Sequence, residues 1–116
     1  MTIEQPKQAT AHTQLHNRNA ANRDFDPVDV ERVRKGFIAK RENGLITDEK
    51  GRFIGNSDNY EFLRDGRDCP ETVNPQLWRH ATLNAHHGLF EVAEGVWQVR
   101  GYDISNITFI RGTHGW

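Results

Sequence analysis

Apolar and polar residues alternate with a period of two in the last quarter of the chain. Three such segments, at residues 89–92, 96–100 and 107–110, are rich in β-branched and aromatic side chains, as half-buried strands are. Polar residues that favour turns separate these segments. The pattern therefore predicts an antiparallel meander of three strands, followed by a glycine-rich turn that ends at Trp116.

A helical period precedes these strands. An Asp-Pro pair at residues 26–27 suits the N-cap and first position of a helix. Val30, Val33 and Phe37 then recur at the spacing of one helix face. The spacing predicts a helix that continues to about residues 43–44.

A second helix is predicted from the Asn-Pro pair at residues 74–75, which has the same capping chemistry. Its apolar face contains Leu77, Trp78, Ala81 and Ala85. Gly88 is expected to end it, because glycine adopts the left-handed conformation that closes helices.

The segment between the two helices has the pattern of a small hairpin. Residues 45–47 and 52–54 are its strands, and Gly51 occupies the last position of the turn. Ser57 and Asp58 are expected to cap a short helical turn after it.

The first 24 residues have a different composition, with many Gln, Asn, Ala, Thr and His residues and few large apolar side chains. Such a segment buries too little surface to offset its loss of conformational entropy, so residues 1–24 are predicted to be disordered. His12 and His16 could share a helix face there, but two imidazoles make an incomplete zinc site. Solvated histidines are the simpler interpretation.

Composition excludes several classes of function. Only 35% of the 116 residues are apolar and the mean hydropathy is −0.80, so the chain contains little core for its length. A net charge of −1 favours neither nucleic acid nor an anionic membrane as partner. No secretory signal is recognisable, which makes the cytoplasm the default expectation. Cys69 is the only cysteine, and no basic cluster with a partner histidine stands beside it to lower its pKa.

The motifs of common enzyme sites are missing from the sequence, and the six histidines are scattered. No catalytic residue and no metal ligand is therefore assigned. Asp103, Ser105 and Asn106 form the one polar cluster on a loop between strands, and they are the candidate substrate-binding residues. The alternative is that these side chains only satisfy the backbone of the turn.

From about Asp24 to Trp116 the chain resembles the N-terminal part of bacterial alkyl sulfatases, the metallo-β-lactamase-fold enzymes that hydrolyse dodecyl sulfate and related esters. The resemblance depends on four stretches in the same order, at residues 34–39, 70–79, 88–92 and 102–110. Members of that family are often periplasmic or secreted.

The resemblance implies an α+β fold in which residues 1–24 are a tail and residues 25–88 a helical arm with a small hairpin. Residues 89–116 would then be the first meander of an incomplete αββα sandwich. It also implies a homodimeric sulfuric ester hydrolase with two zinc ions, whose ligands come from a His-x-His-x-Asp-His motif and from later acidic and histidine residues. None of those ligands falls on a residue of this sequence.

Two expectations about function follow. The first is a fragment of an alkyl sulfatase that binds no zinc, is inactive as this chain alone, and tends to associate through exposed strands. The second is a free-standing protein-interaction module without a catalytic role, which would use the helix around Val30 and an open sheet edge to bind a partner.

Overall fold

Helices and antiparallel strands alternate along the chain, as expected for the α+β class. The structure, a computed structural model, describes residues 7–21, 24–64 and 66–116. Its elements are α1 (Ala11–Ala20), α2 (Val28–Arg34), β1 (Phe37–Ala39), β2 (Leu45–Thr47), β3 (Phe53–Asn56), a 3-10 helix (Ser57–Leu63), α3 (Pro75–Asn84), β4 (Gly88–Ala93), β5 (Val96–Arg100) and β6 (Ile107–Ile110). The predicted α+β class is confirmed.

The main sheet has the strand order β1-β4-β5-β6, and all its pairs are antiparallel. Its last three strands are the predicted meander, which is confirmed. A second sheet contains only β2 and β3, the predicted hairpin. Gly51 has a φ of +76° in its turn, the left-handed conformation that the sequence pattern indicated.

The first strand of the main sheet corrects the sequence prediction of one long helix. That helix ends at Arg34 instead of near residue 43, and β1 follows it. Gly36 causes the change, because its φ is +76° and its carbonyl accepts a 2.8 Å hydrogen bond from the Glu91 amide of β4. A Cβ on Gly36 would lie 2.0 Å from the Glu91 carbonyl oxygen, so only glycine allows this approach.

The two faces of the main sheet differ in what covers them. Phe90, at 1% exposure, is the one buried apolar side chain of the described residues. Phe37 meets its ring edge-on at 5.5 Å, and the Arg100 guanidinium lies 4.6 Å above it. Arg34 at the end of α2 and Ala85 after α3 line a cavity beside Phe90, so the helical layer lies on this side. We call it the covered face.

The opposite face is open and mostly apolar, with the exposed Glu91 paired to Trp97. Paired residues of neighbouring strands point to the same side of a sheet. The register Leu89↔Val99↔Ile107 and Trp97↔Phe109 therefore gathers these side chains on one side. The terminal Trp116 meets Trp97 edge-on at 5.2 Å. We call this set the open face: Leu89, Trp97, Val99, Ile107, Phe109 and Trp116.

Helix α3 begins as predicted, because the Asn74 side chain accepts a 2.8 Å hydrogen bond from the Gln76 amide. Its end differs from the prediction, because Ala85 is the C-cap and Gly88 is the first residue of β4. A Cβ on Gly88 would lie 2.5 Å from the Ala39 carbonyl oxygen. Gly88 thus allows β1 to approach β4, and it does not close the helix.

A helix also occupies part of the segment that was predicted to be disordered, so that prediction is wrong for Ala11–Ala20. The Thr10 side chain caps α1. Contacts with distant residues hold it, since Asn17 Nδ2 donates to the Glu71 carbonyl at 2.7 Å and Gln76 Nε2 donates to the Ala20 carbonyl at 3.1 Å. Composition alone contains no signal for such tertiary contacts. Residues 1–6, 22 and 23 lie outside the described residues.

The molecule is extended. Its radius of gyration is 18.1 Å, whereas a compact chain of this length has about 13 Å. The principal extents are 61 × 41 × 20 Å. Within the described ranges no helix is long and apolar enough to cross a membrane. The proposed division at residues 24 and 88 stays a prediction, although β1 joins the sheet from within the arm.

Candidate functional site

The predicted substrate-binding residues lie on the turn between β5 and β6. Asn106 Oδ1 accepts a 3.3 Å hydrogen bond from the Gly101 amide, which closes the turn. Asp103 Oδ1 accepts a 2.6 Å hydrogen bond from the Ile104 amide. Both side chains therefore satisfy turn backbone, which is the alternative that the sequence left open. A role in substrate binding stays a prediction for Asp103, Ser105 and Asn106.

Tyr102 fixes this turn to the arm. Its hydroxyl accepts a 3.0 Å hydrogen bond from the Arg41 amide, and its ring meets the His87 ring edge-on at 5.3 Å. Gly101 has a φ of +79°, and a Cβ there would lie 2.6 Å from His87 Cβ. The turn is thus held against both the segment after β1 and the end of α3.

The tip of the turn is apolar. Ile104 is fully exposed and lines a cavity of about 800 Å³, together with Tyr102 and Asp103. The hairpin, the 3-10 helix and α3 form the rest of its wall. Of the three candidate residues, only Asp103 borders this space.

No metal centre forms among the described residues, where no three His, Cys, Asp or Glu side chains come together. His12 and His16 lie with ring centroids 4.3 Å apart on α1. His80 contacts Asn84 at 3.0 Å, and His87 Nδ1 donates to the Ala85 carbonyl at 2.9 Å. The side chains present do not fit the two-zinc site that the resemblance implies.

Cys69 has the environment of a structural thiol. Burial raises the pKa of this thiol, and its Sγ donates weakly to the Val73 carbonyl at 3.5 Å. A raised pKa keeps the group protonated and unreactive.

An ion pair fastens α2 to α3. Arg79 Nη2 lies 2.6 Å from Asp29 Oδ2, and it also donates to the Asp26 carbonyl at 3.0 Å. The hydrogen bond from Arg79 holds the pKa of Asp29 below its ordinary value, and Arg32 contributes in the same direction. The two partners lie 50 positions apart, so no local sequence pattern predicts this ion pair.

Sequence reasoning missed the open face, because alternation along separate strands does not show which side of the sheet other residues pack against.

Comparison with known proteins finds that the chain is similar to a fragment of one class of enzyme, the alkylsulfatases. It is 42% identical over 90 residues to a linear primary-alkylsulfatase of Pseudomonas and 41% identical over 90 residues to an (R)-specific secondary-alkylsulfatase of Pseudomonas. It is 42% identical over 87 residues to the alkyl/aryl-sulfatase BDS1 of Saccharomyces cerevisiae. These matches cover 78%, 78% and 75% of the chain. No protein-family model matches.

A solved structure extends the match to three dimensions. The stereoselective inverting sec-alkylsulfatase Pisa1 of Pseudomonas superposes on 91% of this chain with a TM-score of 0.82 and 39% identity. The chain spans 13% of the length of the curated relatives and 17% of the Pisa1 chain. The resemblance is thereby confirmed, and the chain matches a fragment of an alkylsulfatase.

Proposed function

We propose that this chain supplies the helical arm and the first sheet of an alkylsulfatase, and that it is inactive in isolation. The complete enzyme would hydrolyse an alkyl sulfate ester, such as dodecyl sulfate, to the alcohol and sulfate. We place its catalytic groups outside these 116 residues. The role of this chain is then to build and position one layer of the enzyme.

The open face is the observation that carries this proposal. Phe109 is 42% exposed, Ile107 58% and Trp116 77%, and they lie side by side with Trp97. Contiguous apolar surface of this kind marks an interface. Two sheets that pack face to face bury such surfaces about 10 Å apart, so a second sheet laid here would produce the αββα sandwich.

The likeness to Pisa1 supports the same interpretation. Nine-tenths of this chain adopts the conformation of a segment that is only 17% of that protein. An extended chain whose described residues bury a single apolar side chain has little internal reason to prefer that conformation. The rest of a larger polypeptide would stabilise it by covering the open face.

The zinc ions, the homodimer contact and the alkyl sulfate are assigned to the complete enzyme. Because the side chains present here do not fit a zinc site, no step of the reaction is derived from them. We place the turn at residues 101–106 toward the substrate, since Ile104 at its tip and Asp103 beside it border a cavity of about 800 Å³.

A chimera tests this proposal. The stretch of the linear primary-alkylsulfatase that matches this chain is replaced by the corresponding residues of this chain, and hydrolysis of dodecyl sulfate is measured in zinc-containing buffer. We expect the chimera to fold and hydrolyse the ester, and the isolated chain to give no turnover. Turnover by the isolated chain would disprove its inactivity, and an insoluble chimera beside a soluble parent would disprove the placement.

Two neighbouring residues of β6 supply a matched pair for the chimera. Phe109 belongs to the open face, whereas Thr108 pairs with Gln98 on the other side of the sheet, and both are exposed in this chain. Phe109→Asp should leave no soluble and active chimera, because it would place a charge in the proposed interface. Thr108→Asp should preserve activity, and equal losses in both variants would contradict the assignment of the face.

The second candidate, a free-standing interaction module, is favoured by the free edge of β6. Among the described residues no strand pairs with that edge, and an exposed edge can bind an extended peptide. This function requires the isolated monomer to unfold in one cooperative thermal transition, measured by circular dichroism. Gradual unfolding would contradict the interaction module and favour the fragment of an enzyme.

A further inference from the structure

An asparagine–glycine pair lies where the arm enters the small hairpin. Asn43 and Gly44 immediately precede β2, and they form the one Asn-Gly dipeptide in the sequence. Asn43 is exposed, whereas Gly44 is buried. Because glycine has no side chain to hinder a close approach to its backbone, this dipeptide favours a reaction between the Gly44 nitrogen and the Asn43 side chain.

Gly44 is held against the start of the 3-10 helix. Its amide donates a 3.3 Å hydrogen bond to Asp58 Oδ2, and its carbonyl accepts a 3.0 Å hydrogen bond from the Ser57 amide. A Cβ on Gly44 would lie 2.4 Å from Asp58 Oδ1, so only glycine allows the carboxylate to come this close. A carboxylate thus contacts the nitrogen of the dipeptide, where it can accept the proton of that nitrogen.

The Asn43 side chain is held by a donor on its carbonyl. Its Oδ1 accepts a 2.8 Å hydrogen bond from the Leu45 amide. Such a donor stabilises the negative charge that the oxygen gains when a nucleophile attacks the carbonyl carbon. The peptide unit between Asn43 and Gly44 therefore has a base at its nitrogen and a polarised carbonyl beside it, which are the two groups that promote an intramolecular acyl transfer.

Asn56 provides a comparison within the same chain. Its Oδ1 accepts a 2.9 Å hydrogen bond from the Asp58 amide, so its carbonyl is polarised as that of Asn43 is. The amide that follows it, at Ser57, donates to the Gly44 carbonyl, and a peptide carbonyl is a far weaker base than a carboxylate. The two sites share the polarised carbonyl, and Asn43 has the glycine and the carboxylate in addition.

We propose that the Asn43-Gly44 pair is a site of spontaneous deamidation, which Asp58 promotes as a general base. The Gly44 nitrogen attacks Asn43 Cγ while Asp58 Oδ2 takes its proton. The bond between Cγ and Nδ2 breaks, the proton passes from the carboxyl to Nδ2, and ammonia leaves a succinimide ring. Water then opens the ring at either of its carbonyls, so that position 43 becomes aspartate or isoaspartate.

The products would change the entry to the hairpin. Either product adds a negative charge close to Asp58, and like charges at short range repel each other. Isoaspartate also inserts a methylene group into the backbone just before β2. The reaction would therefore weaken the link between the hairpin and the 3-10 helix, which depends on the hydrogen bonds of Gly44.

Peptide mapping by mass spectrometry tests the site. The purified 116-residue chain is incubated at neutral pH, and succinimide, aspartate and isoaspartate are measured over time at positions 43 and 56. We expect position 43 to react while position 56 remains asparagine. The rate at position 43 should be at least about tenfold higher in buffer than in guanidinium chloride that unfolds the chain, since a general base contributes about 10²–10⁴-fold. Equal rates, or a higher rate in the unfolded chain, would overturn the proposal.

Matched variants identify the base. Asp58→Asn retains an oxygen that can accept the Gly44 hydrogen bond but removes the basic carboxylate, so it should slow deamidation of Asn43 at least about tenfold. Glu49→Gln removes the same charge from the hairpin turn and should leave the rate unchanged. An unchanged or higher rate in Asp58→Asn, or equal slowing by Glu49→Gln, would overturn the role of Asp58.

A second variant separates the basicity of Asp58 from its part in the local structure. Asp58→Glu retains a carboxylate on a longer side chain, and it should slow the reaction less than Asp58→Asn. Circular dichroism of the parent and both variants compares their strand content. If the two variants slow deamidation equally, the geometry of the hairpin and not the carboxylate controls the rate, and the proposal is wrong.

Discussion

The covered and open faces of one sheet come from the same strands, yet among the described residues the helical layer lies on the covered face. Phe90 is buried on one side by Phe37 and Arg100, while Phe109 and Ile107 on the other side remain exposed. Both sides have apolar residues of similar type. The difference shows that the described residues form two apolar faces of one sheet and place helices beside one of them.

The strongest test of this comparison is truncation of one phenylalanine on each face. Phe90→Ala should lower the free energy of unfolding by about 3–5 kcal/mol, the usual cost of a cavity at a buried aromatic site. Phe109→Ala should cost less than about 1 kcal/mol in the isolated chain, because little surface is buried there. Urea denaturation followed by circular dichroism measures both, and equal costs would mean that the open face is already covered.

The second test concerns the edge strand of the sheet. Gly36→Ala should cost about 2–4 kcal/mol, since it combines a left-handed φ with a clash against the Glu91 carbonyl oxygen. Gly51→Ala is the matched control, because its φ is also +76° but no atom lies within 4 Å of its added Cβ. It should cost only about 1 kcal/mol. If the two variants lose the same free energy of unfolding in urea, the close approach of β1 to β4 adds nothing to the cost of Gly36→Ala.

The third test concerns the helical layer and depends on pH. Because the pKa of Asp29 is lowered in the folded chain, its ionised form stabilises the fold above the ordinary value of 3.8, and this stabilisation is lost as pH falls through the lower folded pKa. Asp29→Asn should therefore reduce the loss of stability as pH falls below the ordinary pKa of 3.8, as measured by thermal unfolding.

Arg79→Gln should have the same effect, and the double variant should add nothing to either single one. Additive effects would show that the Asp29–Arg79 pair does not act as a unit.

The smallest expected effect is on the turn that joins the two outer strands. Asn106→Ala should cost about 1 kcal/mol or less, since one exposed hydrogen bond to the Gly101 amide is lost. Ser105→Ala is the control and should lie within about 0.5 kcal/mol of the parent. In the active chimera, Asp103→Ala or Asn106→Ala should also lower turnover. Unchanged kinetics in both variants would contradict the assignment of the turn to the substrate site.

Local patterns predicted much of the fold. The strands of the meander, the hairpin around Gly51 and the Asn74 cap of α3 all depend on neighbours a few residues apart, so each was visible in the sequence. The errors have a common physical origin. Helix α1, strand β1 and the role of Gly88 depend on contacts between residues far apart in the chain, and no local period reports such contacts.

The candidate site shows the same division. Asp103 and Asn106 were found because polar residues between two strands predict a turn, and the structure gives both a backbone partner. The hydrogen bond from the Arg41 amide to the Tyr102 hydroxyl was not predicted, because 61 positions separate the two residues and no local pattern reports such a contact.

The sequence by itself determined which residues alternate, which positions cap helices, and to which enzymes the chain is similar. Only the tertiary structure decided that one face of the sheet is closed by Phe37 and the helical arm while the other stays open. The physical reason is that burial depends on what packs against a side chain. An alternating strand has the same pattern whether or not its second face has a partner.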